Sequence, residues 1–315
     1  MKKQFALGLL AAVAASGAFA QSSVTIYGRL NVTAESQKFG DDDRQWAVQD
    51  NASRIGFKGT EDLGGGLKAG FQIEHGFDAT TGAAAGGTAN FWGRQSEVNL
   101  SGAFGTVRLG RWTPESYFAT ADYISMHNHD TGTSSDALYA FGPFAQSNKV
   151  GYASPVMGGF QFHASVAEGG AGVERTYDLA ANYDRGPLHV GAGFAKQEDV
   201  KQFAIRGLYE LGAFTIGAYY NRDTDSWGAG AGDRNTFRVS GMYAFGANEV
   251  HVNVGRANEY SDVADSAATQ WTVGYNYNLS KRTKVYGFYT NLSDGDAGVY
   301  GGDFNSFAVG VRHNF

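Results

Sequence analysis

An alternation of apolar and polar residues with a period of two runs through most of this chain and constrains its fold more than any other feature. Near the start, Val24, Ile26 and Leu30 fall on one face of an extended segment. Thr25 and Arg29 fall on the opposite face. This period is typical of a β-strand with one apolar and one polar side. The chain is therefore predicted to be all-β.

The alternating segments are joined by turns into hairpins, and counted in chain order they predict sixteen strands. The first strand starts near residue 22, a hairpin follows around the turn 61–66, and the last strand is 305–315. The strands between them pair as 90–101 with 106–111, 147–155 with 159–168, 175–184 with 188–197, 201–210 with 214–222, 235–245 with 249–258, and 269–279 with 283–292. Residues 39–50, with three consecutive aspartates, are interpreted as a polar loop. This count predicts eight long connections at one end and seven short turns at the other.

An even number of antiparallel strands lets one sheet close on itself with no open edge, as a membrane requires. In a soluble barrel the apolar face points inward, whereas in a membrane barrel it faces lipid and the polar face lines the lumen. Clustered aromatic residues near strand ends favour the membrane barrel, because they resemble interfacial girdles. They are Tyr27, Trp92, Trp112, Tyr152, Tyr219, Tyr220, Tyr243, Trp271, Tyr275, Tyr277 and Tyr289. Sixteen strands also enclose an aqueous channel, where eight would be filled by side chains.

Residues 1–20 have the pattern of a secretory signal. Lys2 and Lys3 precede an apolar run, and the run ends at the small-x-small site Ala18-Phe19-Ala20. The run is too short to span a membrane as a helix. Residues 21–315 are expected to form the barrel, which carries 23 basic against 31 acidic residues and so a formal charge of −8. This charge argues against a nucleic-acid partner, and with no cysteine in the chain no disulfide supports the fold.

One stretch, residues 112–146, breaks the alternation for more than thirty residues. A loop of this length in a compact domain is usually functional. It is rich in aromatic residues that could pack, among them Trp112, Tyr117 and Tyr139. We interpret it as a loop that folds into the barrel and narrows the channel; the alternative is an ordinary surface excursion.

The chain resembles the general porins of Gram-negative β-proteobacteria, of the kind found in Neisseria, Bordetella, Burkholderia and Comamonas. The resemblance is carried by SSVTIYGRL (22–30), SRIGFKGTEDLGGGLKAGFQIE (53–74), FGTVRLGR (104–111), NLSKRT (278–283) and GVRHNF (310–315). It implies a sixteen-stranded antiparallel transmembrane β-barrel in the outer membrane, a homotrimer, and a third external loop folded inward. That loop coincides with residues 112–146. The resemblance also implies passive diffusion of ions and small hydrophilic solutes.

A channel neck selects by its width and by opposed charges on its walls. The predicted basic wall consists of Arg29, Arg54, Arg94, Arg108 and Lys149. Except for Arg94, these residues fall on the polar face of their alternating strands. Arg94 falls on the apolar face, so it needs a bulge or a position at the rim to point inward. Resemblance supports Arg54 and Arg94 as constriction arginines. A third arginine of some anion-preferring relatives is replaced here by Ala145.

The predicted acidic side of the neck lies on the loop and consists of Glu115, Asp122, Asp130 and Asp136. Arginine keeps its charge at every relevant pH, so a basic wall would favour anions if its field exceeds that of the loop. A modest anion preference is expected on this basis. The alternative for each charge is a solvated rim group or an arginine that pins the loop to the wall.

Two other motifs were weighed as metal sites. His127-Asn128-His129-Asp130 lacks the spacing of a zinc site. Asp294 and Asp296, with Asp303 nearby, lack the full calcium-loop pattern. We therefore predict no metal and no cofactor.

The C-terminal Phe315 ends an alternating strand and resembles the signal that barrel assembly machinery recognises, although an ordinary last strand would look the same. Outer-membrane lipid and lipopolysaccharide are the other expected partners. Two functional alternatives remain, a substrate-specific channel and an outer-membrane barrel enzyme. The enzyme is disfavoured because His163, His189 and His251 lie in separate strands with no nucleophile motif.

Overall fold

The computed structural model describes residues 23–85, 90–126, 138–139, 142–170 and 172–315. The predicted signal segment 1–20 lies outside these residues. Within these described residues, seventeen strands form one antiparallel sheet. They are β1 (Ser23–Phe39), β2 (Gln45–Asp50), β3 (Arg54–Gly64), β4 (Leu67–Gly76), β5 (Gln95–Gly102), β6 (Gly105–Arg111), β7 (Lys149–Ala153), β8 (Phe160–Ala167), β9 (Thr176–Arg185), β10 (Leu188–Gln197), β11 (Val200–Leu211), β12 (Phe214–Thr224), β13 (Asp233–Phe245), β14 (Asn248–Ala257), β15 (Ala268–Asn278), β16 (Thr283–Asp294) and β17 (Phe304–Asn314).

The sheet closes into a barrel because β1 pairs with strands at both ends of the chain. Its residues 29–39 pair with residues 304–314 of β17, and its residues 23–29 pair with residues 54–60 of β3. The last bonds of the seam join Gly28 and Phe315, each of which donates its N–H to the other's carbonyl at 3.1 Å. The predicted sixteen-stranded antiparallel barrel is confirmed, with β2 and β3 sharing one strand position.

A bulge divides that strand position into β2 and β3. Between the partner pairs Val32–Asp50 and Arg29–Arg54, β1 advances by three residues and its partner by four. The extra residue reverses the parity of the strand, so that Arg54 faces inward. Ala52 sits in the bulge with a φ of 58°.

The interpretation of residues 39–50 as a polar loop was therefore wrong for 45–50. These residues alternate, with Trp46 and Val48 exposed on the outer face. The break at the bulge hid this short strand in the sequence. The first connection is only 40–44.

The faces of the barrel are opposite to those of a soluble protein. On β11, Gln202 and Arg206 point inward and are buried, whereas Phe203 and Ile205 are 43% and 44% exposed on the outer face. This arrangement repeats around the ring, as a barrel surrounded by lipid requires.

The connections are long at one end of the barrel and short at the other, as predicted, with one exception besides 40–44. The expectation of eight long connections was wrong for 198–199, because Gln197 pairs directly with Val200. Glu198 takes a φ of 51°, which closes a two-residue turn there.

The aromatic girdle prediction was correct for most members and wrong for three. Tyr152, Tyr243, Trp271, Tyr275 and Tyr277 are exposed on the outer face. Tyr220 and Tyr289 share the outward parity of their cross-strand partners Ile205 and Val273. Tyr27, Trp112 and Tyr219 instead have inward parity, and Trp112 and Tyr219 are 2% and 3% exposed. Strand parity separates the two groups.

The third long connection turns into the barrel and begins with a short helix, α1 (Glu115–Tyr117), that continues as a π-helix over Phe118–Asp122. Both helical pieces contact β9 and β10. We call residues 112–146 loop 3, and its described part confirms the inward-folded loop. Among the described residues, no helix is both long and apolar enough to cross a membrane.

Candidate functional site

The root of loop 3 is held by an arginine between two carboxylates. Arg108 on β6 contacts Glu97 on the neighbouring β5, with Nη2 2.5 Å from Oε2. Its other terminal nitrogen donates to Glu115 of loop 3. The guanidinium also lies 4.4 Å from the centre of the Trp112 ring. The positive charge of Arg108 is balanced by the carboxylates of Glu97 and Glu115. Arg108 therefore anchors the loop.

Lys149 supports the same root from β7. Its side chain is buried and its Nζ lies 4.7 Å from the Trp112 ring centre. The same nitrogen donates to the Trp112 carbonyl at 3.5 Å. Trp112 in turn lies against Gly151, where a Cβ would come within 2.7 Å of the ring.

The helical leg of loop 3 is received by an acid and by two glycines of the wall. Asp178 on β9 accepts the backbone N–H groups of Glu115 and Ser116 at 2.9 and 3.2 Å, as well as the Ser116 hydroxyl. A Cβ on Gly191 would lie 2.2 Å from the Ala119 carbonyl oxygen, and one on Gly193 would lie 2.7 Å from the Ser116 Cα. The backbone of loop 3 can contact the wall at this point only because glycine has no Cβ.

Further along loop 3, Tyr123 and Arg206 join it to β9, β10 and β11. Arg206 Nε donates to the Ala119 carbonyl at 2.8 Å, and its guanidinium stacks on Tyr123 at 3.4 Å. The Tyr123 hydroxyl donates to Asp184 at 2.8 Å and lies 2.9 Å from His189 Nδ1. Burial and the bond to Asp184 raise the pKa of Tyr123 to about 12. The hydroxyl therefore keeps its proton at physiological pH.

The described residues of the returning leg continue along the same wall. The Tyr139 hydroxyl donates to Gln202 at 3.1 Å, and its ring meets Tyr219 edge-on. Leu138 is fully buried in a cluster with Ala257, Ala268 and Leu292 of β14, β15 and β16. The described part of loop 3 thus packs along the inner wall from β9 to β16.

Three arginines lie on the inner face of β1, β3 and β17, away from the strands that contact loop 3. Arg29 on β1 and Arg54 on β3 are direct cross-strand partners. Arg312 on β17 is the partner of Asn31, two residues along β1 from Arg29. Adjacent like charges in a sheet repel one another, and this part of the wall holds three cations close together.

Arg94 reaches the same wall through Glu74. The Glu74 carboxylate accepts from Arg94 Nε at 2.6 Å, and its Oε1 lies 3.7 Å from Arg54 Nη1. Arg94 precedes β5, so its side chain is not bound by the parity of that strand. The predicted wall residues thus divide into Arg29, Arg54 and Arg94 away from the loop and Arg108 and Lys149 beneath it.

The predicted acids of the loop have different surroundings. Glu115 is engaged by Arg108, and Asp122 is half-buried at the end of the π-helix. Asp130 and Asp136 lie outside the described residues.

Several charged residues of the lumen were not predicted from the sequence. Arg312, Arg206, Glu74, Glu97 and Asp178 all have inward parity, which was the available signal. Their roles depend on which side chain lies across the next strand, and alternation does not reveal that register.

Two of the three histidines considered for catalysis, His189 and His251, have close polar partners in the barrel wall. His189 bonds to Asp184 and Tyr123, and His251 Nε2 lies 3.3 Å from Glu249. His163 Nδ1 lies 3.9 Å from Glu115.

The two motifs weighed as metal sites have different outcomes. Asp294 accepts the backbone N–H groups of Tyr300 and Gly302 within its own loop, and Asp303 accepts that of Asp294. The stretch 127–130 lies outside the described residues.

Comparison with known proteins decides the family. A model of the Gram-negative porin family matches residues 6–298. The chain belongs to the Gram-negative porin family. It is 34% identical to outer membrane porin protein 32 of Delftia acidovorans, over the full length of both chains. It is 26% identical to an outer membrane porin protein of Bordetella pertussis, again over both full lengths.

A solved structure gives the same result in three dimensions. The porin resembles a protein described as an anion-selective porin from Comamonas acidovorans, with a TM-score of 0.75 and 26% identity over 94% of this chain and 100% of that one. The protein is thus an outer-membrane porin. Its polar barrel interior is a channel, and the described part of loop 3 folds into that interior.

Proposed function

We propose that this porin is a diffusion channel with a modest preference for anions, and that Arg29, Arg54 and Arg312 generate it. The observation that supports the proposal is the cross-strand pair of Arg29 and Arg54 on a wall away from the described part of loop 3. The similar Comamonas porin is described as anion-selective, which agrees.

The local charge balance favours anions although the whole chain is acidic. Near Arg54, four guanidinium groups, those of Arg29, Arg54, Arg94 and Arg312, accompany the inward carboxylates of Glu35 and Glu74. Glu35 is buried and accepts hydroxyl groups from Thr33 and Ser306, and with both carboxylates counted the four guanidinium groups are still in excess. Low-dielectric walls concentrate the remaining positive field in the lumen.

Reversal potential in a planar bilayer under a KCl gradient tests the proposal. A unit charge about 6 Å from a passing ion contributes roughly 0.7 kcal/mol in water, or about threefold in ion partition. We expect Arg54→Gln and Arg29→Gln each to lower the chloride-to-potassium permeability ratio by about that factor. Arg185→Gln, which removes an exposed charge at the far end of β9, is the matched control. Unchanged selectivity in both neck variants would refute the proposal.

We also propose that Arg108 and Lys149 position loop 3 and do not contact solutes. The channel is inferred to work without a catalytic step, because His189 and His251 are committed to wall contacts. Export by the segment 1–20, recognition of Phe315 by the assembly machinery and a homotrimeric state remain proposals. Conductance steps that arrive in threes would support the trimer.

A further inference from the structure

We propose that the helical leg of loop 3 carries a contact site for the ring of aromatic carboxylates, centred on Phe118. Anions of the benzoate type are then held longer in this channel than aliphatic anions of the same charge. The ligand class is a planar apolar ring that bears one carboxylate. This inference rests on the anion preference proposed above and assigns a class of solute to it.

Phe118 projects from loop 3 into the channel. Its side chain is 42% exposed, whereas the residues on either side, Tyr117 and Ala119, are 6% and 2% exposed. Those neighbours are buried because both helical pieces of the loop contact the inner wall at β9 and β10. Since loop 3 lies inside the barrel, the exposed face of Phe118 borders the water of the lumen.

A change of helix type gives Phe118 this position. The α-helical turn Glu115–Tyr117 passes into the π-helix Phe118–Asp122 at this residue, and the three residues that follow Phe118 are buried. The ring is thus left on the free side of the leg. π-Helical turns are rare and occur frequently at functional sites. An apolar ring held in water is costly, so this local geometry favours a role for the ring in contact with solutes.

Other aromatic side chains of loop 3 support the ring from behind. The Phe118 ring centre lies 5.9 Å from that of Tyr117. The Tyr117 ring in turn lies 5.3 Å from Tyr139 and 5.7 Å from Phe144. Aromatic pairs at these distances attract one another in tilted and edge-on arrangements. Phe118 is therefore pre-organised to receive one more ring on the side that is open to the lumen.

The wall formed by Arg29, Arg54 and Arg312, which we call the arginine wall, lies across the lumen from Phe118. The helical pieces contact β10, which is eight strand positions from β1 whether the ring of sixteen is followed through β3 or through β17. The field of the arginine wall turns the carboxylate of a passing solute toward β1. An apolar ring at the other end of that solute is thereby directed toward Phe118. An aliphatic acid has the same charge but offers no aromatic face.

Single-channel recording of the full-length protein in planar bilayers tests the site. Benzoate and cyclohexanecarboxylate have the same charge and rings of the same size, but only benzoate has an aromatic face. The residence time of each acid is obtained from the excess current noise that it causes in KCl. A contact between two aromatic rings predicts a residence time about fivefold longer for benzoate than for cyclohexanecarboxylate.

Variants at Phe118 locate the contact. Phe118→Ala is expected to bring the ratio of the two residence times close to one, and the ratio is used because a change in pore width acts on both acids alike. Phe118→Tyr keeps an aromatic face and should keep the ratio. Phe237→Ala, which removes a ring that is 50% exposed on the outer face of β13, should behave as wild type does. Heat-modifiable migration on gels verifies that each variant is folded.

Two results would overturn the ring site. One is a wild-type ratio of residence times in Phe118→Ala. The other is a wild-type channel that prefers chloride but holds both acids equally long, and this result would leave the anion preference standing. A wild-type channel without a chloride preference would instead refute the proposed function, and with it the orientation of solutes by the arginine wall.

Discussion

At the scale of single residues, glycines in the wall of this porin leave the space that loop 3 occupies. Gly151, Gly191 and Gly193 meet Trp112, Ala119 and Ser116 at distances that leave no space for a methyl group. Polar contacts then fix the direction of the leg, through Asp178 and Arg206. Steric fit and hydrogen bonding act on the same few residues.

Gly191→Ala is expected to displace the helical leg of loop 3, because its Cβ would lie 2.2 Å from the Ala119 carbonyl oxygen. Overpacking of this kind costs about 1–3 kcal/mol. Single-channel recording should show a changed and noisier conductance. Gly207→Ala is the control, since a Cβ there meets nothing within 4 Å. Identical traces for the two variants would show that the glycine does not hold the loop.

At the scale of the element, the bulge between β2 and β3 decides which way Arg54 points. A polar network secures it: Asn31 N–H donates to the Ser53 hydroxyl at 3.0 Å, and the Asn51 amide donates to Thr33 at 2.9 Å. Asn51 and Ser53 are both 1% exposed. Because each donor has an acceptor, the irregular backbone is stable inside the barrel wall.

Ala52→Val is expected to destabilise the barrel by about 1–3 kcal/mol, because a β-branched residue at positive φ is strained. Urea unfolding of the refolded protein in detergent micelles measures the loss. Ala69→Val, at a regular outward position of β4, provides the reference substitution. A variant at residue 52 as stable as the reference would mean that the bulge relaxes at no cost.

At the scale of the whole molecule, the proposed anion preference rests on a local field within an acidic protein. The chain has a formal charge of −6, yet the arginine wall is lined by low-dielectric strands that reduce screening. Under the proposed mechanism we expect solutes to respond to the field of the neck and much less to that of the distant loops. The same reasoning predicts how salt changes the channel.

Raising KCl from about 0.1 M to 1 M shortens the Debye length from about 10 Å to 3 Å. The anion preference is expected to fall toward unity over this range while conductance increases. Reversal potentials at a fixed concentration ratio and increasing mean salt measure this change. A salt-independent ratio would indicate selection by pore width, with little contribution from Arg29 and Arg54.

Much of this architecture was predictable from alternation. Parity correctly assigned the sixteen strand positions and the inward faces of Arg29 and Arg54. It missed the strand 45–50, since one extra residue at Ala52 breaks the period. It also could not separate Arg54 from Arg108, because the partners Glu74 and Glu97 come from neighbouring strands whose register a single sequence does not give.

The glycine-lined recess has a consequence for how such channels diversify. The wall, through Gly151, Gly191 and Gly193, specifies where the first leg of loop 3 rests, and so we expect changes later in the loop to leave that leg in place. Loop segments exchanged between relatives should therefore be compatible as modules wherever the recess is preserved. We expect that exchanging a short segment of loop 3 alters the permeability of this channel while the barrel stays unchanged.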